Sequence, residues 1–157
     1  MSYTVKEIYS SIQLEGFHQG RPAIFLRFTG CNLWSGLERD RASAICQFCD
    51  TDFVGTDGDG GGSFATAGDL AAKVASIWNT AKTFDASRFV VCTGGEPLLQ
   101  LNDALLMALH VEGFEVAVET NGTREPIDQI DWLCVSPKAH APLVATCGDE
   151  LKLGYPQ

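Results

Sequence analysis

Short apolar runs separated by polar residues and glycines set the pattern of the chain. They lie at 23–29, 88–93, 115–120, 132–136 and, less clearly, 150–153. Nearly every position within a run is apolar, which is typical of strands that are covered on both faces. The pattern therefore predicts five buried strands.

Two stretches between these runs have helical periodicity. The first, 67–82, follows a candidate capping residue, Thr66, and has Asp69 in its first turn. Its apolar residues recur at helical spacing: Leu70, Val74, Ile77 and Trp78. The second, 102–111, begins at another candidate cap, Asn102, and carries three leucines on one face: Leu105, Leu106 and Leu109. We expect both stretches to be helices that pack on the sheet.

The order of strands and helices predicts the fold class. A strand, a helix and a further strand in succession indicate right-handed crossovers and a parallel sheet. We therefore expect an α/β fold whose sheet curves into a partial barrel, with functional loops after the carboxyl ends of the strands. Two stretches interrupt the alternation: 32–45 is predicted to be a long loop, and the glycine-rich 55–63 a flexible connector.

Length and charge narrow the class of protein. The chain has 157 residues, which suits one domain with a sizeable core, so 1–157 is expected to be a single domain. Its net charge of −9 repels phosphate backbones and argues against a general nucleic-acid binder. The sequence has no apolar run of membrane-helix length and begins without a signal-peptide pattern, so we expect a cytoplasmic protein without membrane contact.

Three of the six cysteines, Cys31, Cys46 and Cys49, form the pattern C-x14-C-x2-C. Because the cytoplasm disfavours disulfides and a CxxC pair brings two thiolates to one centre, these cysteines are candidate metal ligands. Three thiolates on a [4Fe-4S] cluster leave one iron open, whereas structural zinc needs a fourth protein ligand. None of the three histidines stands at a ligand spacing from the cysteines. Structural zinc and unlinked buried thiols remain the alternatives.

The other three cysteines are expected to be bystanders. Cys92 and Cys134 lie inside apolar strand runs and are predicted to be core thiols, while Cys147 stands in a loop without a cysteine neighbour.

Glycines and a buried cation near the strands are further candidates. Gly94 and Gly95 follow the run at 88–93 and leave room for a ligand to approach the backbone, although a plain turn explains them equally well. Arg27 lies inside an apolar run, where a guanidinium needs an anionic partner. Its planar fork suits the carboxylate of a ligand, and the alternative is an internal pair with a glutamate.

Several segments together resemble a known family. GCN at 30–32 and CQFCDT at 46–51 are similar to the cluster loop of radical S-adenosylmethionine (SAM) enzymes, whose usual spacing is C-x3-C-x2-C. A first gap of fourteen residues resembles one variant of the 7-carboxy-7-deazaguanine synthases. Further segments agree with that family in the same order: EIYSSIQLEG at 7–16, FLRFTGCN at 25–32, CTGGEPLLQ at 92–100, VETNGT at 118–123 and VSPK at 135–138.

The resemblance implies a fold and an activity. The fold would be a partial (β/α) barrel of the radical SAM type, small and C-terminally truncated, since the family ordinarily continues beyond this chain. The activity would be that of a lyase that converts 6-carboxy-5,6,7,8-tetrahydropterin to 7-carboxy-7-deazaguanine with loss of ammonia, in queuosine and 7-deazapurine biosynthesis. A [4Fe-4S] cluster, SAM and Mg²⁺ would be the cofactors. A homodimer and an external, flavodoxin-like electron donor are the implied partners.

The resemblance also assigns SAM contacts to residues of the cluster loop and the strand ends. They are Phe48, Asp50, Gly94, Gly95, Glu119, Ser136, Pro137 and Lys138. An aromatic cover for the cluster is the plainer explanation of Phe48, and a capped strand end that of Glu119.

Substrate and magnesium contacts are implied in the same way. The substrate residues would be Ile12, Gln13, Leu14, Glu15, Gly16, Arg27 and Thr93, although an ordinary turn explains the first five without the resemblance. Thr51 would contact Mg²⁺, and Asp50 is the ligand that the residues alone suggest. Many family members have glycine where this chain has Leu14.

Two other functions remain open from the sequence. One is an activase that installs a glycyl radical in a partner protein, and the other is a zinc-stabilised binding module without enzymatic activity. The metal content of the protein distinguishes the second from a cluster enzyme.

Overall fold

A computed structural model describes residues 2–81 and 86–154. Within these ranges the chain forms seven strands: β1 Tyr3–Ile12, β2 Pro22–Phe28, β3 Gly62–Phe64, β4 Phe89–Gly94, β5 Glu115–Thr120, β6 Trp132–Val135 and β7 Glu150–Leu151. It also forms two α-helices, α1 Ala67–Thr80 and α2 Asp103–Val111, and two short 3-10 helices, Glu38–Ser43 and Pro97–Leu99. None of the helices in the described ranges is long and apolar enough to cross a membrane.

All seven strands belong to one sheet with the order β3-β1-β2-β4-β5-β6-β7. β1 pairs antiparallel with both β2 and β3, whereas β2, β4, β5, β6 and β7 pair in parallel. The predicted parallel α/β architecture is therefore confirmed, with an antiparallel extension at one edge.

The two faces of the sheet differ in what covers them. Leu26, Cys92 and Val118 align across β2, β4 and β5 and lie in the main core, with α1 and α2 packed over that face. The opposite face has a small apolar cluster near the amino ends of its strands: Ala23, Phe89, Val91 and Ala117. Neither α-helix contributes to that cluster, and the strand runs look continuously apolar because both faces bury apolar side chains.

Local sequence signals explain where the helices begin. The Thr66 hydroxyl accepts a hydrogen bond from the Asp69 amide at 3.1 Å, and the Asp69 carboxylate accepts one from the Thr66 amide at 3.2 Å, so α1 starts with a capping box. Asn102 accepts a hydrogen bond from the Leu105 amide at 3.0 Å and caps α2. The predicted end of the first helix at Lys82 lies outside the described residues.

The apolar pattern missed β1 and β3. β1 mixes polar and apolar residues, and its Lys6 is only 8% exposed because the ammonium contacts Asp52 at 2.9 Å and Asp57 at 2.7 Å. The expectation of a mere connector at 55–63 is wrong at its end, where Gly62 and Ser63 pair with β1 as part of β3. β7 has two residues, which is shorter than the predicted run at 150–153.

Candidate active site

A cavity of about 630 Å³ opens at the carboxyl ends of β4, β5 and β6. Its lining brings together twelve of the predicted site residues: Glu15, Cys46, Phe48, Cys49, Asp50, Thr51, Thr93, Gly94, Gly95, Glu119, Ser136 and Lys138. Ile12, Gln13 and Leu14 line a neighbouring cavity of about 220 Å³, which shares Glu15 and Glu119 with the first. Residues far apart in the sequence thus meet at one edge of the sheet, as expected for a parallel α/β fold.

Four predicted residues line neither cavity. Gly16 lies beside the Glu150 carboxylate, and Pro137 faces a separate cavity with Leu143 and Cys147. Cys31 lies just behind the lining, since a Cβ placed on Gly95 would be 2.9 Å from the Cys31 Cβ. Arg27 is in register with Thr93. Both lie on the face of the sheet opposite the main core, which we call the polar face.

The three candidate ligand cysteines are close enough to influence one another. All six cysteines of the chain are free thiols, and Cys46 is buried while Cys31 and Cys49 are partly buried. Burial raises the pKa of the Cys46 thiol, and the neighbouring Cys49 adds to the rise, whereas the Lys138 ammonium opposes it. Burial also raises the pKa of Cys31. The thiols of Cys46 and Cys49 and the ammonium group of Lys138 are therefore close enough at the cavity to influence one another's charge.

Thiols are the main candidate metal ligands at the cavity. Among the described residues, no three His, Cys, Asp or Glu side chains form a group that could hold one metal ion. A [4Fe-4S] cluster makes a different demand, because each thiolate binds its own iron and the ligands surround a cube. Two thiols on the cavity wall and a third directly behind it are the residues that would hold such a cluster.

A partly buried arginine, Arg41, links the loop between the first two cysteines to the CxxC segment. The predicted irregular stretch 32–45 contains the 3-10 helix Glu38–Ser43, from which Arg41 donates to the carbonyls of Gln47 and Cys49, both at 2.9 Å. Its guanidinium also pairs with Glu38 at 2.7 Å and lies 4.1 Å from the centre of the Trp34 ring. Arg41 was not among the predicted site residues, and its only signal was a run of charges in an otherwise patternless stretch.

Apolar packing fixes the same loop from beneath. Trp34 and Phe53 are 8% and 2% exposed, and their rings meet edge to face with centroids 5.7 Å apart. The amides of Ile45 and Cys46 donate to the Leu33 carbonyl at 3.1 and 3.2 Å. The fourteen-residue gap is therefore an ordered loop, held by the contact of Trp34 with Phe53 and by backbone hydrogen bonds.

The two glycines at the carboxyl end of β4, Gly94 and Gly95, have a structural reason that does not depend on a ligand. A Cβ on Gly94 would stand 2.3 Å from the Phe28 carbonyl oxygen, and one on Gly95 would stand 2.0 Å from the Gly30 carbonyl oxygen. The turn therefore packs directly against the backbone that leads to Cys31. Gly94 also has φ +134°, which favours glycine.

Glu96 was not among the predicted site residues, yet it links two parts of the site. Its side chain is fully buried and accepts hydrogen bonds from the Leu98 amide, the Thr120 hydroxyl and the Asn121 amide at 3.0, 2.8 and 2.7 Å. Burial raises the pKa of Glu96, and these donors counteract part of the rise. The carboxyl group thus joins the turn after β4 to the end of β5.

The segment after β5 also supports the cluster loop. The side-chain amide of Asn121 donates to the side-chain oxygen of Asn32 at 3.1 Å, and the side-chain amide of Asn32 donates to the Thr123 hydroxyl at 2.8 Å. Asn121 and Thr120 line the main cavity, although neither was predicted as a site residue.

Two cations belong to the cavity wall. Lys138 donates to the carbonyl oxygen and the hydroxyl of Ser136, and burial lowers its pKa. Lys152, which was not predicted, forms an ion pair with Glu15 and lies 3.9 Å from Glu119. The site therefore offers two ammonium groups to a ligand with carboxylates.

At Arg27 the structure shows the internal pair that was the alternative to a ligand carboxylate. Its Nε donates to Glu7 Oε1 at 2.7 Å and its Nη2 to the Tyr9 hydroxyl at 3.3 Å. Burial lowers the pKa of the guanidinium, but Glu7 and Tyr9 outweigh this effect and the net pKa is raised.

Glu119 connects several predicted residues and is not a simple strand cap. Its carboxylate accepts hydrogen bonds from Gln13 Nε2 at 3.2 Å and from the Thr93 hydroxyl at 3.4 Å. Gln13 and Thr93, which were predicted to bind the substrate, thus contact Glu119, which was predicted to bind SAM.

The bystander cysteines lie in different surroundings. Burial raises the pKa of Cys92 and of Cys134 to about 12, and Glu119 and Glu150 contribute to the rise at Cys134. Cys147 is exposed. Cys92 and Cys134 are both buried, as predicted; Cys92 lies in the main core, and Cys134 lies on the opposite face of the sheet.

Sequence comparisons find curated relatives along the whole chain, although no family model matches it. The 7-carboxy-7-deazaguanine synthase of Caulobacter vibrioides is 60% identical over 157 residues, which are 100% of this chain and 73% of that protein. The 7-carboxy-7-deazaguanine synthases of Burkholderia multivorans and Nitratidesulfovibrio vulgaris are 59% and 55% identical, each with the same coverage.

A solved structure supports the same relationship. The crystal structure of QueE from Escherichia coli matches with a TM-score of 0.66 and 30% sequence identity, and the match covers 90% of this chain and 62% of that chain. The partial α/β barrel expected from the sequence is confirmed by this likeness. By its full-length identity to curated relatives and this shared fold, the chain belongs to the 7-carboxy-7-deazaguanine synthase family.

Proposed function

We propose that the chain converts 6-carboxy-5,6,7,8-tetrahydropterin to 7-carboxy-7-deazaguanine with loss of ammonia, in queuosine and 7-deazapurine biosynthesis. The observation that carries the proposal is the single cavity at the carboxyl ends of the strands. Its wall combines the CxxC cysteines, the paired glycines at the carboxyl end of β4, the lysine of the SPK segment and Glu15 of the β1–β2 loop. These are the segments by which the chain resembles its family.

The three loop cysteines, Cys31, Cys46 and Cys49, would hold a [4Fe-4S] cluster. With SAM bound at its open iron, the reduced cluster would supply the radical chemistry that removes a hydrogen atom from the substrate. Arg41 and Asn121 would keep the thiols in place, because they hold the backbone and side chains of this loop.

The residues around the cluster would orient SAM. The carbonyls of Gly94 and Gly95 accept hydrogen bonds from an ammonium group, and Lys138 attracts a carboxylate. Phe48, which is 43% exposed at the cavity, offers a face for adenine. Ser136, Glu119, Asp50 and Pro137 complete the proposed set.

The substrate would lie over the polar face of the sheet. Residues 12–16 and Thr93 would read the pterin through backbone and side-chain groups, and Arg27 would meet its carboxylate from the position that Glu7 fixes. Thr51, with Asp50 beside it on the cavity wall, would contact Mg²⁺, which prefers oxygen ligands.

Two partners are proposed on the family resemblance alone. One is a second copy of the chain in a homodimer, and the other is an external, flavodoxin-like protein that reduces the cluster.

An anaerobic assay tests the proposal. Protein reconstituted with iron and sulfide, reduced and supplied with SAM, Mg²⁺ and carboxytetrahydropterin should form 7-carboxy-7-deazaguanine and ammonia, detected by mass spectrometry. Absence of the product from protein that carries a full cluster would overturn the assignment. Colourless protein with stoichiometric zinc would support the zinc-module alternative instead.

Two cysteine variants provide a matched comparison. Cys46→Ala should lose both the cluster and product formation, because Cys46 is one of three proposed ligands. Cys147→Ala should retain both, because Cys147 is exposed and lies in a loop away from the cluster cysteines. Iron content and the visible absorption of the cluster give a readout that is independent of activity.

A further inference from the structure

The loop between β1 and β2 crosses the face of the sheet that the helices leave uncovered. We call residues 13–21 the strap. It starts and ends in neighbouring antiparallel strands, yet its side chains reach β5, β6 and the segment after β7 on the far side of the sheet. The strap therefore spans the polar face without any strand pairing.

Besides the Arg21–Glu115 ion pair at its end, polar links join the strap to the far strands at three points. Gln13 donates to Glu119 at 3.2 Å, Glu15 forms an ion pair with Lys152, and the Phe17 amide donates to the Glu150 carboxylate at 3.3 Å. The Glu150 carboxylate also accepts a hydrogen bond from the Trp132 indole at 3.2 Å.

The two halves of the strap are held by different forces. His18 packs against the rings of Phe89 and Trp132, with centroids 4.8 and 4.6 Å away, so the second half has apolar contacts. In the first half Leu14 is 73% exposed and buries little surface. Residues 14–16 are thus held mainly by polar contacts: the links of Gln13 and Glu15, the hydrogen bond from the Gln19 amide to the Gly16 carbonyl at 3.2 Å, and the packing of Gly16 beside the Glu150 carboxylate.

Lys152 stands where those links converge. Its amide donates to the Val135 carbonyl at 2.9 Å, which fixes the residue beside the end of β6. Its ammonium contacts Glu15 of the strap and lies 3.9 Å from Glu119 of β5. Burial lowers the pKa of Lys152, but the two carboxylates outweigh burial and raise the net pKa.

We propose that Lys152 is a positioning residue that holds Glu15, and with it residues 14–16 of the strap, against the strand end that carries Glu119. The inference rests on the proposed function only in naming the ligand of the strap as a carboxypterin. A strap that is already in place costs less to order when substrate binds, so Lys152 should act on binding more than on chemistry.

The first test needs no substrate. Hydrogen–deuterium exchange at residues 14–17 should be severalfold faster in Lys152→Met than in wild type, because the ion pair no longer restrains Glu15. Lys73→Met, which removes an exposed lysine of α1, is the matched control and should leave exchange in the strap unchanged. Equal exchange in wild type and Lys152→Met would overturn the proposal.

A double variant separates the ion pair from other effects of Lys152. If Glu15 is the partner, Glu15→Gln should raise exchange in the strap as Lys152→Met does, and combining the two should add little. Additive effects would show that Lys152 acts through another group. Lys152→Arg should restore most of the protection, since arginine keeps the charge.

The second test measures catalysis. Lys152→Met should raise KM for carboxytetrahydropterin roughly fivefold and leave kcat within about twofold of the wild-type value. A partly exposed ion pair that positions the strap is expected to change substrate affinity by about this factor. A fall in kcat with unchanged KM would assign Lys152 to the reaction instead and overturn the positioning role. If wild-type protein forms no product, the proposed function is wrong. The exchange measurements still test whether Lys152 positions the strap, because they need no substrate.

Discussion

Gly95 illustrates what can be predicted at the scale of a residue. The sequence located Gly94 and Gly95 at a strand end and suggested a site of close approach. It could not identify what approaches, because the carbonyl of Gly30 comes from a segment 65 positions earlier in the chain. The same limit applies to Glu96, whose partners Thr120 and Asn121 become neighbours only when β5 is placed beside β4.

Adding a methyl group at Gly95 should destabilise the protein. Gly95→Ala would place its Cβ 2.0 Å from the Gly30 carbonyl oxygen, so backbone must shift and the free energy of unfolding should fall by about 1–3 kcal/mol. Urea unfolding of the apoprotein measures the change.

The same substitution at Gly68 is the control. There a Cβ meets only the Thr66 hydroxyl oxygen, at 3.8 Å, and alanine favours the helix, so Gly68→Ala should be neutral or stabilising. Similar stabilities for the two alanine variants would contradict the steric interpretation.

At the scale of an element, the cluster loop shows where local patterns stop being informative. The CxxC spacing predicted that Cys46 and Cys49 lie together, and this holds because two intervening residues allow little separation. How residues 32–45 return the chain to Cys31 was not predicted, since the loop is ordered by single contacts of Arg41 and Trp34 without a repeating pattern. By contrast, both α-helices begin at the capping residues that the sequence indicated.

Loss of the arginine should loosen the cluster loop. Arg41→Met keeps the length of the side chain but removes the donors to Gln47 and Cys49, so a chelator should extract iron from the reconstituted cluster at least threefold faster. Arg39→Met is the control, because the Arg39 side chain is 80% exposed. Equal rates of iron loss in the two variants would argue that apolar packing alone holds the loop.

At the scale of the whole molecule, the two faces of the sheet differ: one carries the main core, and the other carries most of the residues that we propose for ligand binding. The apolar runs predicted the central parallel strands well, because both faces are apolar near their amino ends. The pattern did not reveal the antiparallel edge formed by β1 and β3, nor the strap, because both depend on contacts between distant polar residues. The spacing of apolar residues along the sequence contains no information about such contacts.

An ion pair at the end of the strap should make stability depend on pH. Arg21 contacts Glu115, the first residue of β5, through two hydrogen bonds of 2.8 and 2.6 Å. The guanidinium lowers the pKa of Glu115 below its ordinary value of 4.5, so the stabilisation is present above that pH and is lost as pH falls through the lowered pKa.

The corresponding variant gives the measurement. Near neutral pH, Glu115→Gln should be less stable than wild type by up to about 1 kcal/mol, since both side chains are partly exposed. In urea titrations this difference should shrink below pH 4.5. Glu125→Gln, at an exposed glutamate, should show no such trend, and a difference that stays constant with pH would refute the role of the pair.

The opposed faces of β2, β4 and β5 also bear on how such an enzyme changes during evolution. Neighbouring positions within one strand differ in their surroundings: Leu26, Cys92 and Val118 lie in the main core, whereas Arg27, Thr93 and Glu119 lie on the opposite face, where we propose that ligands bind. A lineage can therefore rewrite the second set while the first stays constant, so new specificities can arise on this sheet without a renewed search for a stable fold.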